Sequence, residues 1–526
     1  MQRLVAVIVA IVVLALCGTA AASPVFVFRG HGWGHGVGMA QWGAYGFANH
    51  GKTYDEILAH YFPGTTLERT GVAKIRVLLA QSRQTVEVSS EAPFSVVDGS
   101  GAVVKVPAGT ATVTAGPTLV AGGKERPLPG PLRFRPGAKP LVFAKPYRGQ
   151  LVVQVESGGL SVVNRLGLER YLAGVLPGEM SAGWPAEALK TQAVAARSYA
   201  LASRKRSGSF DVYADTRSQV YGGIAAEDRR ATAAIAATRG EILTWEGKVA
   251  WTFFSASSGG RTAAIEDVWD SPPVPYLVSV DDPYDAISPH HDWGPTTFTV
   301  EQLEQKLGSR LPAGLTDLEV SLNGSGRVAS VTAIGSGGTT EISGATMRSL
   351  LGLKSTWFSI DTLSLDPSAT KLVYGQEVVL AGSLRGVDTV ILERRAGDSG
   401  WKRLAAIDTG RRGAFRATDT PRVTTHYRVR ALQLVGPAVR VAVAPRVTLR
   451  LDAGGAIVGD VDPQVGGMAV TIQQRSGGRW KAVATADVRA GGVFRAPLEL
   501  TPGTYRAVTS PTGGLVRGTS KPLEVA

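Results

Sequence analysis

The 526-residue chain is almost without thiols, and its single cysteine, Cys17, lies at the end of the first apolar run. Disulfide staples, Cys-ligated zinc and a cysteine nucleophile are thereby excluded from everything that follows it. Histidines are scarce too, seven in all. No Gly-x-Ser-x-Gly elbow accompanies them, so a Ser-His-Asp triad lacks support. The glycine-rich stretches lack the Lys-Ser/Thr ending of a phosphate-cradling loop. Long apolar runs are missing except for Leu4 to Leu16, which is short for a membrane span. With Arg3 before it and Ala20-Ala21-Ala22 after it, residues 1–22 read as a secretory signal peptide. The expectation is an exported protein of the cell wall or extracellular space, with no stable membrane span once the signal is cleaved. An uncleaved signal anchor is the alternative.

What the chain does have is glycine, 64 residues, with 29 prolines and a formal net charge of +13. From Asp361 to Ala526 there are 23 Lys/Arg against 14 Asp/Glu, so +9 of that charge lies in the last third. An exported basic protein meets anionic wall polymers, glycans or lipid surfaces before nucleic acid, and no nucleic-acid partner is expected. Short alternating stretches such as "QTVEVSS" and "LVVQVES" between Ile75 and Val163 predict antiparallel strands. "WPAEALKTQAVAARSYALASRKRSG" predicts a helix entered at Pro185, with Leu189, Ala193, Ala196 and Ala200 on one face. Further helices are expected at "TVEQLEQKLGS" and "SGATMRSLLGL". Beyond Ile360 a pattern carrying Trp401, Phe415 and Tyr427 returns with Trp480, Phe494 and Tyr505, a tandem pair of all-strand modules. The fold class is α+β: a mixed, β-rich domain with a few helices, followed by two small β-sandwich modules.

Glu179 stands out among the groups able to do chemistry. "YLAGVLPGEMSAGWPAEALK" reads as an apolar strand, a Pro/Gly-bounded loop carrying Glu179, and then the long helix. Partial burial beside Leu176, Met180 and Trp184 would raise its carboxyl pKa and keep a proton available for general acid work. A solvated or helix-capping glutamate is the plainer reading. Lys190 and Arg197, seven apart on the helix, could hold an anionic substrate together; surface salt bridges explain them equally well. Gln219, Tyr221, Ser255, Ser257 and Ser258 offer neutral polar groups suited to sugars, or ordinary turn chemistry. The glycines around His31 and His35 argue against the helix that would align them on a metal, and His290-His291-Asp292 reads as an exposed loop. No metal and no cofactor are expected.

Several longer stretches carry a family resemblance. "YLAGVLPGEMSAGWPAEALKTQAVAARSYAL", "DTRSQVYGG", "FFSASSGGRT", "YLVSVDDPYD" and "LGLKSTWFSI" resemble, in that order, the stage II sporulation protein D family, which includes amidase enhancers. "GHGWGHGVGMAQWGAYGFANHGKTYDEILAHYFPGTTL" resembles the segment that usually closes the same family's sequences, yet here it comes first. The order implies a circular permutation, which preserves a site built from both ends when the old termini lie close together. The resemblance divides the chain into the signal peptide (1–22), the permuted signature (23–70), a β-rich subdomain (71–165), a catalytic core (166–362) and the modules (363–447 and 448–526).

The activity implied is lytic transglycosylation of peptidoglycan glycan strands stripped of stem peptides, with Glu179 of "PGEM" as catalytic residue. Lys190, Arg197, Gln219, Tyr221, Ser255, Ser257, His35, Gln41 and Trp33 are the substrate-binding positions expected around it, with Trp33 or Trp42 stacking on a sugar ring. Some relatives carry Cys and His metal ligands near "SQVYGG"; Arg217 and Ser218 stand there, so no zinc is expected. The alternative is a non-catalytic enhancer that binds the wall or a cell-wall amidase.

Overall fold

A strand buried on both faces belongs in the middle of a sheet. Phe26, Val27 and Phe28 are all fully buried, and their strand, Val25–His31, runs antiparallel between Asp292–Thr299 and Phe358–Pro367. The chain's beginning is thus tied into its middle. The computed structural model describes residues 23–205, 207–385, 387–410, 413–432 and 434–526; the expected signal peptide lies outside them.

The fold is α+β and rich in strand. Between Lys74 and Gly167, a six-stranded sheet and six strands of a seven-stranded one, whose edge is completed by Val212–Tyr213, pack about a common core that includes Val77, Val88, Phe134, Leu151 and Val162. The alternation visible in "TVEVSS" appears as alternating exposure along Thr85–Ser90.

Five helices carry the part of the molecule that matters most for function: α1 (Gln41–Asn49), α2 (Tyr54–Tyr61), α3 (Leu168–Glu179), α4 (Ala186–Ala202) and α5 (Arg229–Ala237). Helix α4 starts after Pro185, as its sequence predicts, and forms the wall between two cores. Ala193, Ala196 and Ala200 face the core shared with α3, while Leu189, Val194 and Ala195 face that shared with α1 and α2. Alanine on both sides lets all of these helices come close.

Residues 168–179 depart from expectation. The stretch is not an apolar strand and loop; it is helix α3, with Pro177 inside its last turn. Tyr171, Leu172, Val175 and Leu176 recur at the helical spacing and are all fully buried. Their packing outweighs the one backbone hydrogen bond that Pro177 cannot donate.

A third core joins Phe26 and Phe28 to α6 (Val300–Leu307), α7 (Gly344–Leu351) and a three-stranded meander. Phe358–Pro367 then leads into the first module, where Ser364–Pro367 pairs with Val378–Ser383. The boundary expected at 362/363 therefore falls inside one strand. The modules follow one plan. Thr389–Ala396 lies between Lys402–Asp408 and Thr425–Ala431, and Ala469–Ser476 lies between Arg479–Asp487 and Gly503–Thr509. Tyr427 and Tyr505 occupy matching places in their cores. Among the described residues no helix is long and apolar enough to cross a membrane.

Candidate active site

After His31 the chain threads between two segments. Its backbone hydrogen-bonds to Trp357 (His31 N–H, 2.9 Å), Ser257 (Trp33 N–H, 2.9 Å) and Lys354 (Gly34 N–H, 3.0 Å). The glycines serve this threading. Gly36 has φ +80°, and a Cβ there would stand 2.2 Å from the buried Arg327 guanidinium; a Cβ on Gly34 would meet Ser255 at 2.5 Å. They bring the backbone against the protein itself. Met39 and Ala40 then pair in parallel with Phe254 and Ser255, which fixes where α1 begins.

The first residue of α1 is Gln41, and its side chain is a polar neighbour of the carboxyl of Glu179, the last residue of α3. The Val220 backbone N–H is a second polar neighbour of that carboxyl. Both favour the ionised form, yet burial outweighs them and pushes the Glu179 pKa above the usual carboxylate value. Burial pushes the Tyr199 phenol up as well, with the Glu179 charge as the second cause. Gln41 also donates to Gln192 of α4 at 3.4 Å. Beyond Gln41, Trp42 and Tyr45 pack on Trp184, with ring centroids 4.7 and 4.8 Å apart. An acid from the middle of the chain and an amide from its beginning thus share one half-buried spot.

Two concavities, each of ≈ 630 Å³, lie along the same N-terminal segment. One is lined by His35, Asp267, Trp269 and Arg348, the other by Tyr45, Trp184, Lys190 and Arg230. Rings lead from Tyr199 towards the first: Phe253 lies 5.8 Å from Tyr199, Trp269 lies 4.8 Å from Phe253, and His35 lies 5.0 Å from Trp269. His35 accepts the Val37 N–H at Nδ1, and its pKa is lowered to about 4 by burial, then by Arg348. It is a neutral lining group.

The other expected positions divide. Lys190 reaches the second concavity, where its ammonium binds Glu187 at 2.6 Å. Arg197 does not reach solvent at all. It is fully buried, clasps Glu169 at 3.1 and 2.7 Å, and donates to the Glu241 carbonyl at 2.9 Å. That makes it a packing ion pair, not a substrate contact. Gln219 and Tyr221 are buried too: Gln219 accepts from Tyr171 at 3.1 Å, and Tyr221 donates to Asn164 at 3.0 Å. Ser257 is spent on Asp285 at 2.7 Å, while the buried Ser255 hydroxyl has no partner. None of these three bonded groups has a free edge for a ligand. Trp33 is 45% exposed, edge-on to His290 at 4.3 Å. Arg217 pairs with Asp215, and Ser218 accepts the Tyr213 N–H, so the "SQVYGG" stretch offers no metal-ligand set.

A stage II sporulation protein profile matches residues 156–245, the stretch that carries Glu179, α4 and Tyr221. Stage II sporulation protein D of Bacillus amyloliquefaciens is 34% identical over 245 residues, covering 43% of this chain and 68% of that one. The chain belongs to the stage II sporulation protein D family. An amidase enhancer of Bacillus subtilis is 38% identical over 135 residues, covering 26% of this chain and 18% of its own length. An uncharacterized protein of Brachyspira hyodysenteriae is 44% identical over 137 residues, 26% of this chain and 37% of that one. The chain thus spans from under a fifth to about two thirds of these relatives' lengths.

Within this family fold, sequence reading overlooks the Val220 N–H beside Glu179, Gln192, which takes the Gln41 amide, and Tyr199, whose phenol senses the Glu179 charge. Gln192 and Tyr199 are seven apart on α4, the same spacing as Lys190 and Arg197. They sit about 200° further round the helix. Only packing distinguishes the two faces.

Proposed function

We propose that the protein is an exported peptidoglycan lytic transglycosylase in which Glu179 acts first as acid and then as base. The observation that carries this reading is the Glu179 carboxyl itself, half-buried, raised in pKa, and touched by Gln41 and Val220 with no cation beside it. Ordinary glycosidases need a second carboxylate for a nucleophile or to activate water. Cleavage by internal ring closure needs one. Protonated Glu179 gives its proton to the oxygen linking N-acetylmuramic acid to N-acetylglucosamine, and that oxygen leaves with the bonding pair. The carboxylate so formed takes the proton of the muramyl C6 hydroxyl as its oxygen closes on C1. The proton count balances, no water is consumed, and the product ends in a 1,6-anhydro ring. The Gln41 amide supports the carboxylate between the two steps.

The permuted order fits the same reading. Gly30 pairs with Phe358, so a joint between those segments would be short, and the first segment supplies the site with Gln41. Glycan strands freed of stem peptides are the proposed substrate, since their bare lactyl carboxylates suit the cations of the two concavities, Arg348 in one and Lys190 and Arg230 in the other. The amidase-enhancer relative supports a second reading, in which the protein binds glycan and promotes the work of a cell-wall amidase.

Mass spectrometry of amidase-treated peptidoglycan after incubation with the protein separates them. The proposal expects anhydro-muramyl ends from the wild type and none from Glu179→Gln, which still sediments with glycan. Stimulation of an amidase with no anhydro ends would replace it with the second reading.

A further inference from the structure

We infer that the outer face of the first sandwich module, with the cleft where it meets the second, binds an extended polymer of sugar or polyol units that carries an anionic group on each repeat. This stands apart from the chemistry at Glu179.

Alternation along Thr425–Ala431 turns Tyr427 and Val429 inward and His426, Arg428 and Arg430 outward. Register extends those rows across the sheet. Arg440 lies opposite His426, which lies opposite Arg395; Arg428 lies opposite Glu393, which lies opposite Arg403. Strands stand about 4.8 Å apart, so Arg440, His426 and Arg395 form a tight basic row. Two carboxylates share the face. Glu393 is held by the Arg428 Nε at 2.7 Å, and Asp408, at the far end, accepts the Thr389 hydroxyl at 2.9 Å. Among the described residues, Arg395, Arg403 and Arg440 have no ion-pair partner.

Like charges set opposite one another across strands are destabilising. Among the described residues no carboxylate pairs with Arg395 or Arg440, and Arg395 has only the face of Trp401 at 5.0 Å; His426 is pushed below its ordinary pKa by burial and then by both arginines. The row ends in a concavity: a cleft of ≈ 560 Å³ is lined by Lys371, Arg440 and Arg517, with no carboxylate among its lining residues. Anions placed there would satisfy all three cations.

The second module repeats the device. Arg428 lies over the Trp401 ring at 4.0 Å, and Arg506 lies over Trp480 at 4.3 Å. Each guanidinium also donates through Nε at 2.7 Å, Arg428 to Glu393 but Arg506 to Gln473. The indole–guanidinium pair persists in both copies, while the acid has become a neutral amide in the second. The ledge is more basic for it.

Charge complementarity selects the occupant. Indoles covered by guanidinium are poor platforms for nucleic-acid bases, and the exposed Val435, opposite Arg430, and Val373, beside Lys371, are isolated aliphatic side chains, too few for insertion into lipid. An extended chain with a carboxylate or phosphate on each repeat can lie along the rows and the cleft.

The test uses the mature chain, residues 23–526, titrated with polygalacturonate and with poly(glycerol phosphate) at low and moderate salt. Arg440→Gln/Arg517→Gln removes two exposed cations of the cleft. Lys124→Gln/Arg126→Gln removes two from the exposed strand Lys124–Pro127. The inference expects binding that weakens with salt, about tenfold weaker in the first variant and within about twofold of wild type in the second. Both variants should melt like the wild type, and the tighter of the two polymers identifies the anion. Equal losses in both variants, no binding to either polymer at low salt, or tighter binding to duplex DNA or phosphatidylglycerol vesicles would overturn it.

Discussion

Glu169 and Glu179 stand in the first turn and at the last residue of the same helix, and the protein treats them in opposite ways. Glu169 has the buried Arg197 guanidinium on both oxygens and the Gly240 N–H at 3.2 Å. It also lies at the helix N-terminus, where the macrodipole favours negative charge. Glu179 has two neutral donors, no cation, and the helix C-terminus, where the dipole opposes ionisation. One carboxylate is spent on the Arg197 guanidinium, which holds α3 against α4. The other is kept ready to hold a proton. Residue type decides neither outcome; position along α3 and the partner across from it decide both.

The contrast is broken most severely at its reactive end. Glu179→Gln should lower anhydro-product release by about a thousandfold, the scale of a lost general acid, while binding and fold persist. Glu169→Gln should do the reverse. It strands the fully buried Arg197, which costs about 3–5 kcal/mol of stability, seen as a lower midpoint in denaturant. Activity per folded molecule should survive. If Glu169→Gln were stable but inactive, or Glu179→Gln active, the two roles would have been assigned to the wrong residues.

These roles were only partly legible in the sequence. The partial burial of Glu179 could be read from its apolar neighbours, and α4 from its alanines, Pro185 and periodicity. The module repeat could be read from Trp401 and Trp480. Arg197 could not, because an arginine destined for a buried ion pair has the same local sequence as one that faces substrate. Its partner Glu169 lies 28 residues away, and only the fold brings it near. Gln219 and Tyr221 misled for the same reason: polar residues beside glycines suggest an open turn, yet here they fill space beneath α3, where Gly174 leaves room for the Tyr221 ring. The helical spacing at Tyr171, Leu172, Val175 and Leu176 was present all along, obscured by Pro177.

A finer cut tests the amide that the N-terminal segment contributes. Gln41→Ala removes a polar neighbour that favours the Glu179 carboxylate, so the pKa, already raised, should rise further. The basic limb of the pH–rate profile, where the acid loses its proton, should move upward by about one pH unit, with kcat lower by about tenfold. A residue that merely packed α1 in place would lower activity without moving that limb.

The smallest effect is the one that most directly ties the site to its cost. A carboxyl whose folded-state pKa is raised adds stability that is fully present below its unfolded pKa and lost as pH rises through the folded value. Wild type should therefore lose stability relative to Glu179→Gln, which cannot ionise, over that interval. Melts of the two proteins should nearly coincide in acid and separate towards neutrality, with the variant higher. Equal midpoints across the range would mean that Glu179 is as well solvated as an ordinary surface acid, and α3 would then end without the strain that makes its last residue a proton donor.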